Sequence, residues 1–426
     1  MIVSGAVAVP GDKSLTHRAL MFAALAHGTS RIDGALTSLD ARSTARVLRQ
    51  LGAELTPLRA GAAVIVRGRE RFRRPAARLD CGNSGTTTRL MLGLLAAHPF
   101  RAELTGDASL RRRPMRRVTV PLARMGARFD EIAGRDGLPL GVRGGPLVPL
   151  EYELPVSSAQ IKSALLLAGM AGGVAVSLRE PHGQSRDHTE RMLRAFGFSV
   201  RDRDGWIDFA PSGSFAPFEF RVPGDPSSAA FLVSAAALAE GGSLRVRGVG
   251  VNPTRIGFVQ VLRRMGTPIA IENEELRQGE PVGDLVAGPA ALQATEVGAG
   301  EIPALIDEIP LLAVVASRAA GTTVFRQAGE LRVKESDRLS LIAANLRAVG
   351  ARAAVVGDDL HVEGGGGPPR GSVRSAGDHR LAMAFAVLGT LPGARVRVDD
   401  MRCADVSFPD FPATLRSVAG RRGRRA

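Results

Sequence analysis

The 426-residue chain has few cysteines and almost no large aromatic residues other than phenylalanine. Its two cysteines, Cys81 and Cys403, cannot build a disulfide framework or a zinc site by themselves, so we expect two reduced thiols. One Trp and one Tyr supply little for a base-stacking surface. This scarcity argues against nucleic acid as a partner, although the formal net charge is +14.

Long hydrophobic runs are also missing. No apolar stretch approaches the roughly 18–20 residues needed to cross a bilayer, and the first residues, MIVSGAVAVPGDKS, lack the regions of a secretory signal. We therefore expect a cytoplasmic protein without membrane contact. Apolar residues make up 45% and charged residues 23% of the chain, a globular composition that is long enough for two domains.

Lysine is the scarcest basic residue, with three among 56 basic positions. Lys13, Lys162 and Lys334 all lie in polar motifs, GDKS, AQIKS and RVKESDR. Lysine is a compact charge that can release a proton, whereas arginine is a planar fork that cannot. The pattern favours functional roles for Lys13 and Lys334, whereas for Lys162, inside a helix, it favours a structural role at least as much as a functional one.

Two phrases recur along the chain at a period of about 70 residues, a spacing that indicates internal repeats. The first phrase is Leu, then Arg or Ala, any residue, an apolar residue and usually Gly, as in LRQLG from Leu48 and LRAVG from Leu346. It stands at the end of an amphipathic helix. The second is a polar start, a nearly all-apolar helix and a strand, as in KSLTHRALMFAALAHGTSRI. Six copies of each predict an α/β protein of six units, three in each half.

The boundary between the halves is predicted at RVPGDPSS (221–228), where Pro and Gly interrupt the pattern. We expect an N-terminal domain over 12–222 and a C-terminal domain formed by 1–11 with 223–420. The opening strand in 1–10 would pair with the C-terminal half and complete it. Residues 421–426 are a basic tail.

The starts of the buried helices carry more polar residues than N-capping alone requires. These residues are Lys13, His17, Arg18, Arg89, Gln160, Asp307, Asp378, His379 and Arg380. Helix N-termini attract anions, so the pattern indicates a phosphorylated substrate. GDKS is not a nucleotide-binding loop, because Asp12 precedes Lys13 where that motif needs Gly. HExxH, paired CxxC and GxSxG are absent, so we expect neither a metal nor a cofactor.

Ten motifs in order together resemble the 5-enolpyruvylshikimate-3-phosphate (EPSP) synthase family, the 3-phosphoshikimate 1-carboxyvinyltransferases of aromatic amino acid biosynthesis. They are PGDKSLTHRAL, DCGNSGTTTRLM, TGDASLRRRPM, SSAQIKSALLLAG, SRDHTERM, VPGDPSSAAF, LIDEIP, LRVKESDRL, GDHRLAMA and SFPDF. The resemblance implies a two-domain inverse α/β barrel, with three βαβαββ repeats per domain and the active site between the domains. It also implies transfer of the enolpyruvyl group of phosphoenolpyruvate to the 5-hydroxyl of shikimate 3-phosphate, with release of phosphate.

The resemblance also implies a set of ligand-binding residues. Shikimate 3-phosphate would be bound by Lys13, Ser14, Arg18, Ser158, Ala159, Gln160, Ser185, Arg186, Asp307 and Lys334. Phosphoenolpyruvate would be bound by Lys13, Gly85, Arg113, Gln160, Arg338 and Arg380, with Asn83 nearby. Glu335 would protonate and later deprotonate the methyl carbon, Asp307 would accept the hydroxyl proton, and Lys13 would donate a proton and stabilise charge.

One position departs from the family pattern. Many members have a Lys shortly before the final FPD motif, where this chain has Val406. Two alternatives are kept. UDP-N-acetylglucosamine enolpyruvyl transferases use a loop Cys before an Arg-Pro pair, and the corresponding loop GDASLRRRP has none. An RNA-binding protein could use the positive charge. We expect a monomer whose partners are the two small substrates.

Overall fold

The computed structural model describes residues 1–181, 183–211 and 215–420. The basic tail 421–426 lies outside the described residues. The α-helices are α1 (Lys13–Leu25), α2 (Leu39–Gln50), α3 (Gly85–Ala96), α4 (Arg116–Arg124), α5 (Ala159–Gly172), α6 (His188–Ala195), α7 (Pro226–Ala237), α8 (Gly257–Arg264), α9 (Ile302–Leu305), α10 (Ile309–Ala316), α11 (Arg338–Ala348), α12 (His379–Leu388) and α13 (Phe411–Val418). Short 3₁₀ helices cover Leu110–Arg112, Ala299–Glu301, Ala328–Val333 and Arg402–Val406.

The strands alternate with these helices along the chain. They are β1 (Ile2–Val3), β2 (Gly5–Ala8), β3 (Thr29–Asp33), β4 (Glu54–Leu55), β5 (Val64–Arg67), β6 (Leu79–Asp80), β7 (Arg101–Thr105), β8 (Arg128–Asp130), β9 (Leu140–Arg143), β10 (Leu150–Glu153), β11 (Val176–Arg179), β12 (Ser199–Arg203), β13 (Trp206–Ala210), β14 (Glu219–Arg221), β15 (Leu244–Gly250), β16 (Ile269–Arg277), β17 (Glu280–Ala287), β18 (Glu296–Val297), β19 (Thr322–Phe325), β20 (Arg352–Val356), β21 (Asp359–Glu363), β22 (Arg370–Val373), β23 (Arg395–Val398) and β24 (Ala419–Gly420).

The chain divides into two compact units. The N-terminal unit contains 11–222 and the four residues 277–280, and the C-terminal unit contains 1–10, 223–276 and the described residues from Pro281 on. Each unit has its own hydrophobic core. The tip of the β16–β17 hairpin therefore groups with the N-terminal unit, which means that the chain changes unit at more places than the two the sequence indicated.

Three four-stranded sheets form the N-terminal unit, with strand orders β14-β3-β5-β4, β6-β7-β9-β8 and β10-β11-β13-β12. In each sheet the first two strands are parallel and the rest are antiparallel. A βαβ connection followed by a hairpin produces this order. The first sheet is completed by β14, which is almost 190 residues beyond β3 in the chain and was not predicted to pair with it.

The C-terminal unit repeats this arrangement twice, with orders β16-β17-β15-β2 and β18-β19-β21-β20. The parallel pairing of β2 with β15 confirms that the opening strand completes this half. The sixth repeat is shorter than predicted. It forms only the parallel pair β22-β23, because the chain after α13 gives the two-residue strand β24, which pairs with β1 instead.

The two predicted kinds of helix are present. The second kind, the nearly all-apolar one, is buried along almost its whole length, and α7 and α10 are buried throughout. Of the helices that end in the first phrase, α2, α4, α6, α8 and α13 are amphipathic. The glycines after five of the six helices have φ between +87° and +113°, which confirms the predicted left-handed caps. Among the described residues no helix is both long and apolar enough to cross a membrane.

Helices α3 and α5 approach each other closely at Gly93. A Cβ atom at this position would overlap the backbone of Ala164 on α5. Both helices carry predicted ligand residues at their N-terminal ends, Gly85 on α3 and Gln160 on α5. Because Gly93 has no side chain, α3 and α5 can pack closely, and this close packing sets the distance between the two helices that carry these ligand residues.

Candidate active site

The start of α1 carries the first predicted ligand residues of the N-terminal unit. The Asp12 carboxylate accepts a 2.7 Å hydrogen bond from the Leu15 backbone N–H and caps the helix. The Lys13 ammonium lies 3.1 Å from the Asp40 carboxylate at the start of α2, and its side chain is 16% exposed. The acidic partner holds the ammonium at the helix end without burying it fully.

Arg18 lies one turn along α1 and is buried. Its guanidinium donates to the Thr189 hydroxyl at 2.8 Å, to the Ser163 hydroxyl at 2.6 Å and to the Ser14 carbonyl at 3.0 Å. Burial lowers the pKa of Arg18 to about 10, while the charge of Glu190 acts in the opposite direction. The side chain therefore remains a cation at neutral pH and is held in one orientation.

The segment Ser158–Gln160 begins α5. Ser158 occupies the N-cap position but its side chain makes no capping bond. The Gln160 carbonyl accepts a short hydrogen bond from Arg89, and its amide donates to the Thr86 hydroxyl at 3.1 Å. Arg89 also donates to the Pro114 carbonyl at 3.1 Å, so one arginine on α3 connects α5 to the loop after Arg113.

Arg113 follows the 3₁₀ helix Leu110–Arg112 and has extended backbone geometry. The side chain is buried rather than solvated, and it donates to the Asn83 side-chain carbonyl at 2.8 Å. A Cβ atom at Gly85 would lie 2.9 Å from a terminal nitrogen of Arg113. Glycine at position 85 thus gives this guanidinium the space it occupies.

Ser185 and Arg186 lie in the connection between β11 and α6. Ser185 is buried, and its hydroxyl has no hydrogen-bond partner among the described residues. The Ser185 backbone is bonded on both sides, its N–H to Glu180 and its carbonyl to Lys162. Arg186 is partly exposed.

Arg338 is the centre of the charged cluster in the C-terminal unit. It is 1% exposed, and its nitrogens lie 2.7 Å from Asp378, 3.1 Å from Asp307 and 2.5 Å from Glu335. Burial alone would lower the pKa of Arg338, but these three carboxylates outweigh it and hold the pKa above its usual range. Both predicted acid–base carboxylates thus contact one permanent cation.

Arg380, the second arginine of this cluster, is in the first turn of α12. It donates to the Asp307 carbonyl at 3.1 Å and to the Glu308 carboxylate at 3.3 Å, and it lies 3.6 Å from the Asp307 carboxylate. Asp378 caps α12 by accepting from the Arg380 N–H. Asp307 therefore lies between two guanidinium groups.

Lys334 and Glu335 follow the 3₁₀ helix Ala328–Val333. Burial lowers the pKa of Lys334 from its usual value, and the nearby charges of Asp307 and Glu330 partly oppose this effect. An ammonium with a lowered pKa releases a proton more readily than an exposed lysine.

The predicted residues are divided between the two units. Lys13, Ser14, Arg18, Gly85, Arg113, Ser158, Ala159, Gln160, Ser185 and Arg186 belong to the N-terminal unit, and Asp307, Lys334, Glu335, Arg338 and Arg380 to the C-terminal unit. Sequence reasoning missed Asp40, Ser163 and Thr189, which hold Lys13 and Arg18. No local signal marks them, because they reach their partners only through the packing of α2, α5 and α6.

Two further features concern metal ligands and thiols. Within the described ranges no group of three or more His, Cys, Asp or Glu residues could hold a metal ion. Burial raises the pKa of both Cys81 and Cys403 to about 12, which keeps each thiol protonated at neutral pH.

Comparison with known proteins identifies the family. A sequence model described as EPSP synthase (3-phosphoshikimate 1-carboxyvinyltransferase) matches residues 2–415. The chain belongs to the EPSP synthase family. It is 45% identical over 416 residues to the 3-phosphoshikimate 1-carboxyvinyltransferase of Desulforamulus reducens, covering 97% of this chain and 96% of that one. It is 46% identical over 420 residues to that of Thermosynechococcus vestitus, with 97% and 95% coverage.

Solved structures agree with this assignment. An EPSP synthase from Acinetobacter baumannii superposes with a TM-score of 0.84 at 38% identity, covering 98% of this chain and 96% of that one. The enolpyruvyl transferase NikO from Streptomyces tendae shares the fold alone, with a TM-score of 0.77 at 20% identity. The predicted α/β fold class of the EPSP synthase family is confirmed.

Proposed function

We propose that the protein transfers the enolpyruvyl group of phosphoenolpyruvate to the 5-hydroxyl of shikimate 3-phosphate and releases inorganic phosphate. The observation that carries the proposal is the contact of Asp307 and Glu335 with one buried guanidinium, Arg338, in a chain of the EPSP synthase family. Two carboxylates that one cation holds in place can serve as the two proton-transfer groups that the reaction needs.

We assign the two substrates to the residues described above. Shikimate 3-phosphate would be held by Lys13, Ser14, Arg18, Ser158, Ala159, Gln160, Ser185, Arg186, Asp307 and Lys334. Phosphoenolpyruvate would be held by Lys13, Gly85, Arg113, Gln160, Arg338 and Arg380. The three arginines of this second set can bind carboxylate and phosphate oxygens through two parallel hydrogen bonds each.

The reaction adds and then removes one proton at the methylene carbon of phosphoenolpyruvate. Glu335 protonates that carbon while Asp307 accepts the proton of the 5-hydroxyl, whose oxygen bonds to the adjacent carbon. Phosphate then leaves as Glu335 takes a proton back from the methyl group, which restores the double bond. Lys13 donates a proton to the departing phosphate and stabilises its charge.

The pairing of Glu335 with Arg338 fits this sequence of steps. A guanidinium in contact disfavours protonation of the carboxyl group. The carboxylate of phosphoenolpyruvate would take the place of Glu335 on Arg338, and the released Glu335 could then bind the proton that it delivers. Substrate binding would thereby prepare the acid.

We propose further that residues 12–222 act as one domain and 1–11 with 223–420 as the other. The protein would work as a cytoplasmic monomer without metal, cofactor or nucleic acid. The two separate cores support the division into two domains. Light scattering during gel filtration measures the oligomeric state, and a dimer mass would contradict the monomer.

The test of the function is a phosphate-release assay. We expect inorganic phosphate to appear only when shikimate 3-phosphate and phosphoenolpyruvate are both present, together with a product that carries the enolpyruvyl ether. Replacing shikimate 3-phosphate with UDP-N-acetylglucosamine tests the alternative acceptor. Release with that acceptor, or with phosphoenolpyruvate alone, would contradict the proposal.

A further inference from the structure

Lys162 lies at the centre of a buried ionic cluster that the proposed mechanism does not use. It is on α5, two residues after Gln160, and its side chain is completely buried. Its ammonium lies 2.9 Å from Glu180 and 2.8 Å from Glu190. Burial would lower the pKa of Lys162, but the two carboxylates outweigh it and raise the pKa, so the group is a cation.

The same cluster holds both backbone polar groups of Ser185. The Lys162 ammonium donates to the Ser185 carbonyl at 3.1 Å, and the Glu180 carboxylate accepts from the Ser185 N–H at 3.0 Å. The ammonium donates to Glu180 and to the Ser185 carbonyl, and Glu190 lies within ion-pair distance of it. A planar guanidinium is larger and has a different donor geometry, so Arg could not take over these three contacts unchanged.

The cluster determines the position of a loop that regular structure does not hold. Ser185 lies between β11 and α6, and no strand or helix includes it. Its hydroxyl is buried without a hydrogen-bond partner among the described residues, although a buried hydroxyl normally has one. Glu190, on α6, follows directly after Thr189, which accepts a hydrogen bond from Arg18. The cluster thus connects α5, the loop of Ser185 and the support of Arg18.

Stability alone does not explain three buried charged groups. Replacing a buried ion cluster with apolar side chains of similar volume is often neutral or stabilising. Because the cluster bonds to the Ser185 backbone, a positional role accounts for it better. An anion binding at Ser185 would supply the partner that its hydroxyl lacks.

We propose that Lys162 is a positioning residue for the phosphate of shikimate 3-phosphate, because it fixes Ser185 and the adjacent Arg186 in the geometry that binds phosphate. The proposal rests on the proposed function, which assigns Ser185 and Arg186 to that substrate. Lys162 itself makes no contact with the substrate. Its effect should therefore be confined to the phosphate group of one substrate.

The experiment compares the binding of shikimate 3-phosphate with that of shikimate, which lacks the phosphate, by titration calorimetry. We expect Lys162→Met to weaken binding of shikimate 3-phosphate at least about tenfold, equivalent to about 1.4 kcal/mol. The affinity for shikimate and the KM for phosphoenolpyruvate should stay within about threefold, a change of less than 1 kcal/mol. Lys162→Met leaves two buried carboxylates without their cation, and the double variant Lys162→Met/Glu190→Gln removes one of them. If the single variant does not fold, the double variant should fold and show the same loss of phosphate binding.

Arg194→Met is the control, because it removes a cation on α6 whose guanidinium bonds to Asp202 and to the Val200 carbonyl. It should bind both ligands as the wild type does. A Lys162→Met or double variant that loses affinity for both ligands equally, or for neither, would overturn the positioning role. If the wild type itself does not bind shikimate 3-phosphate, the proposed function is wrong, which the wild-type titration shows independently of the variants.

Discussion

Position 13 is occupied by a lysine in a chain that otherwise uses arginine almost everywhere. Its ammonium lies beside the Asp40 carboxylate at the N-terminus of α1. A guanidinium there would be too wide for two ligands at once, and with a pKa above about 12 it could not donate a proton. We expect Lys13→Arg to lower kcat at least about 10²-fold, the lower range for losing a proton-transfer group.

The control for this exchange is Arg42→Lys, which exchanges the same two residue types in the reverse direction at an exposed position on α2. It should leave kcat unchanged. Steady-state kinetics and circular dichroism on both variants decide the question. Near-normal turnover in folded Lys13→Arg protein would show that the charge alone matters at this position.

Glu335 offers a second test at a single residue. Glu335→Gln keeps the shape of the side chain but removes the exchangeable proton. We expect both substrates to bind while turnover falls by about 10²- to 10⁴-fold. Glu274→Gln, on exposed β16, serves as the control. A loss of less than about tenfold would mean that another group moves the methyl proton, since general acid–base groups contribute more than this.

His17 predicts a pH dependence of stability. It is buried, with Nδ1 2.6 Å from the Thr44 hydroxyl, and burial followed by the charges of Lys13 and Arg18 lowers its pKa to about 3. The unfolded chain has the ordinary pKa of about 6.5 and binds a proton that the folded protein does not. Stability from the neutral ring is therefore present above pH 6.5 and falls as the pH drops towards 3, by about 1.4 kcal/mol per pH unit within this window.

Urea unfolding at several pH values measures this effect. His17→Asn, whose amide can still bond to Thr44, should flatten the loss of unfolding free energy between pH 6.5 and pH 4. The same substitution at exposed His27 should leave the slope as it is in the wild type. Equal slopes in wild type and His17→Asn would contradict the role of burial.

At the scale of elements, the α3–α5 contact makes a prediction that opposes helix propensity. Ala favours a helix over Gly by about 1 kcal/mol, but a Cβ at Gly93 would meet the backbone of Ala164. We expect Gly93→Ala to destabilise the N-terminal unit by about 1–3 kcal/mol, as overpacking does. Gly145→Ala has open space around its Cβ and should be neutral in the same denaturant titration. Stabilisation by Gly93→Ala would mean that the two helices can separate without cost.

Local patterns in the sequence predicted the helices and strands better than the contacts between them. Polar starts and following glycines indicated α1 and α2, because N-caps and left-handed C-caps depend on neighbouring residues in the chain. The pairing of β14 with β3 and the interruption between α9 and α10 were not predicted. Both depend on tertiary packing, which leaves no periodic signal.

In the candidate site, too, the sequence indicated the residues but not their contacts. The family motifs named the charged residues, and their burial and pairing followed only from the structure. The resemblance gave Arg338 as a phosphoenolpyruvate ligand, but its enclosure by three carboxylates was not predicted. Asp378 was noted as a polar helix start, but its bond to Arg338 crosses 40 residues of sequence.

At the scale of the whole molecule, the two separate cores predict unfolding in two steps. The single Trp and the single Tyr, Trp206 and Tyr152, both lie in the N-terminal unit. Their fluorescence therefore follows that unit, whereas far-ultraviolet circular dichroism follows both. We expect the two signals to have different midpoints in urea. Coincident transitions at every protein concentration would show one cooperative unit.

The pairing of β2 with β15 has a consequence for synthesis on the ribosome. Residues Gly5–Ala8 leave the ribosome before their partner Leu244–Gly250, which is translated only after the residues of the N-terminal unit up to Val222. At about 5–20 residues per second, more than about ten seconds pass while this strand has no partner. Its length of four residues and its small side chains, GAVA, make it a poor template for a neighbouring nascent chain. This strand can therefore remain unpaired until β15 has been translated.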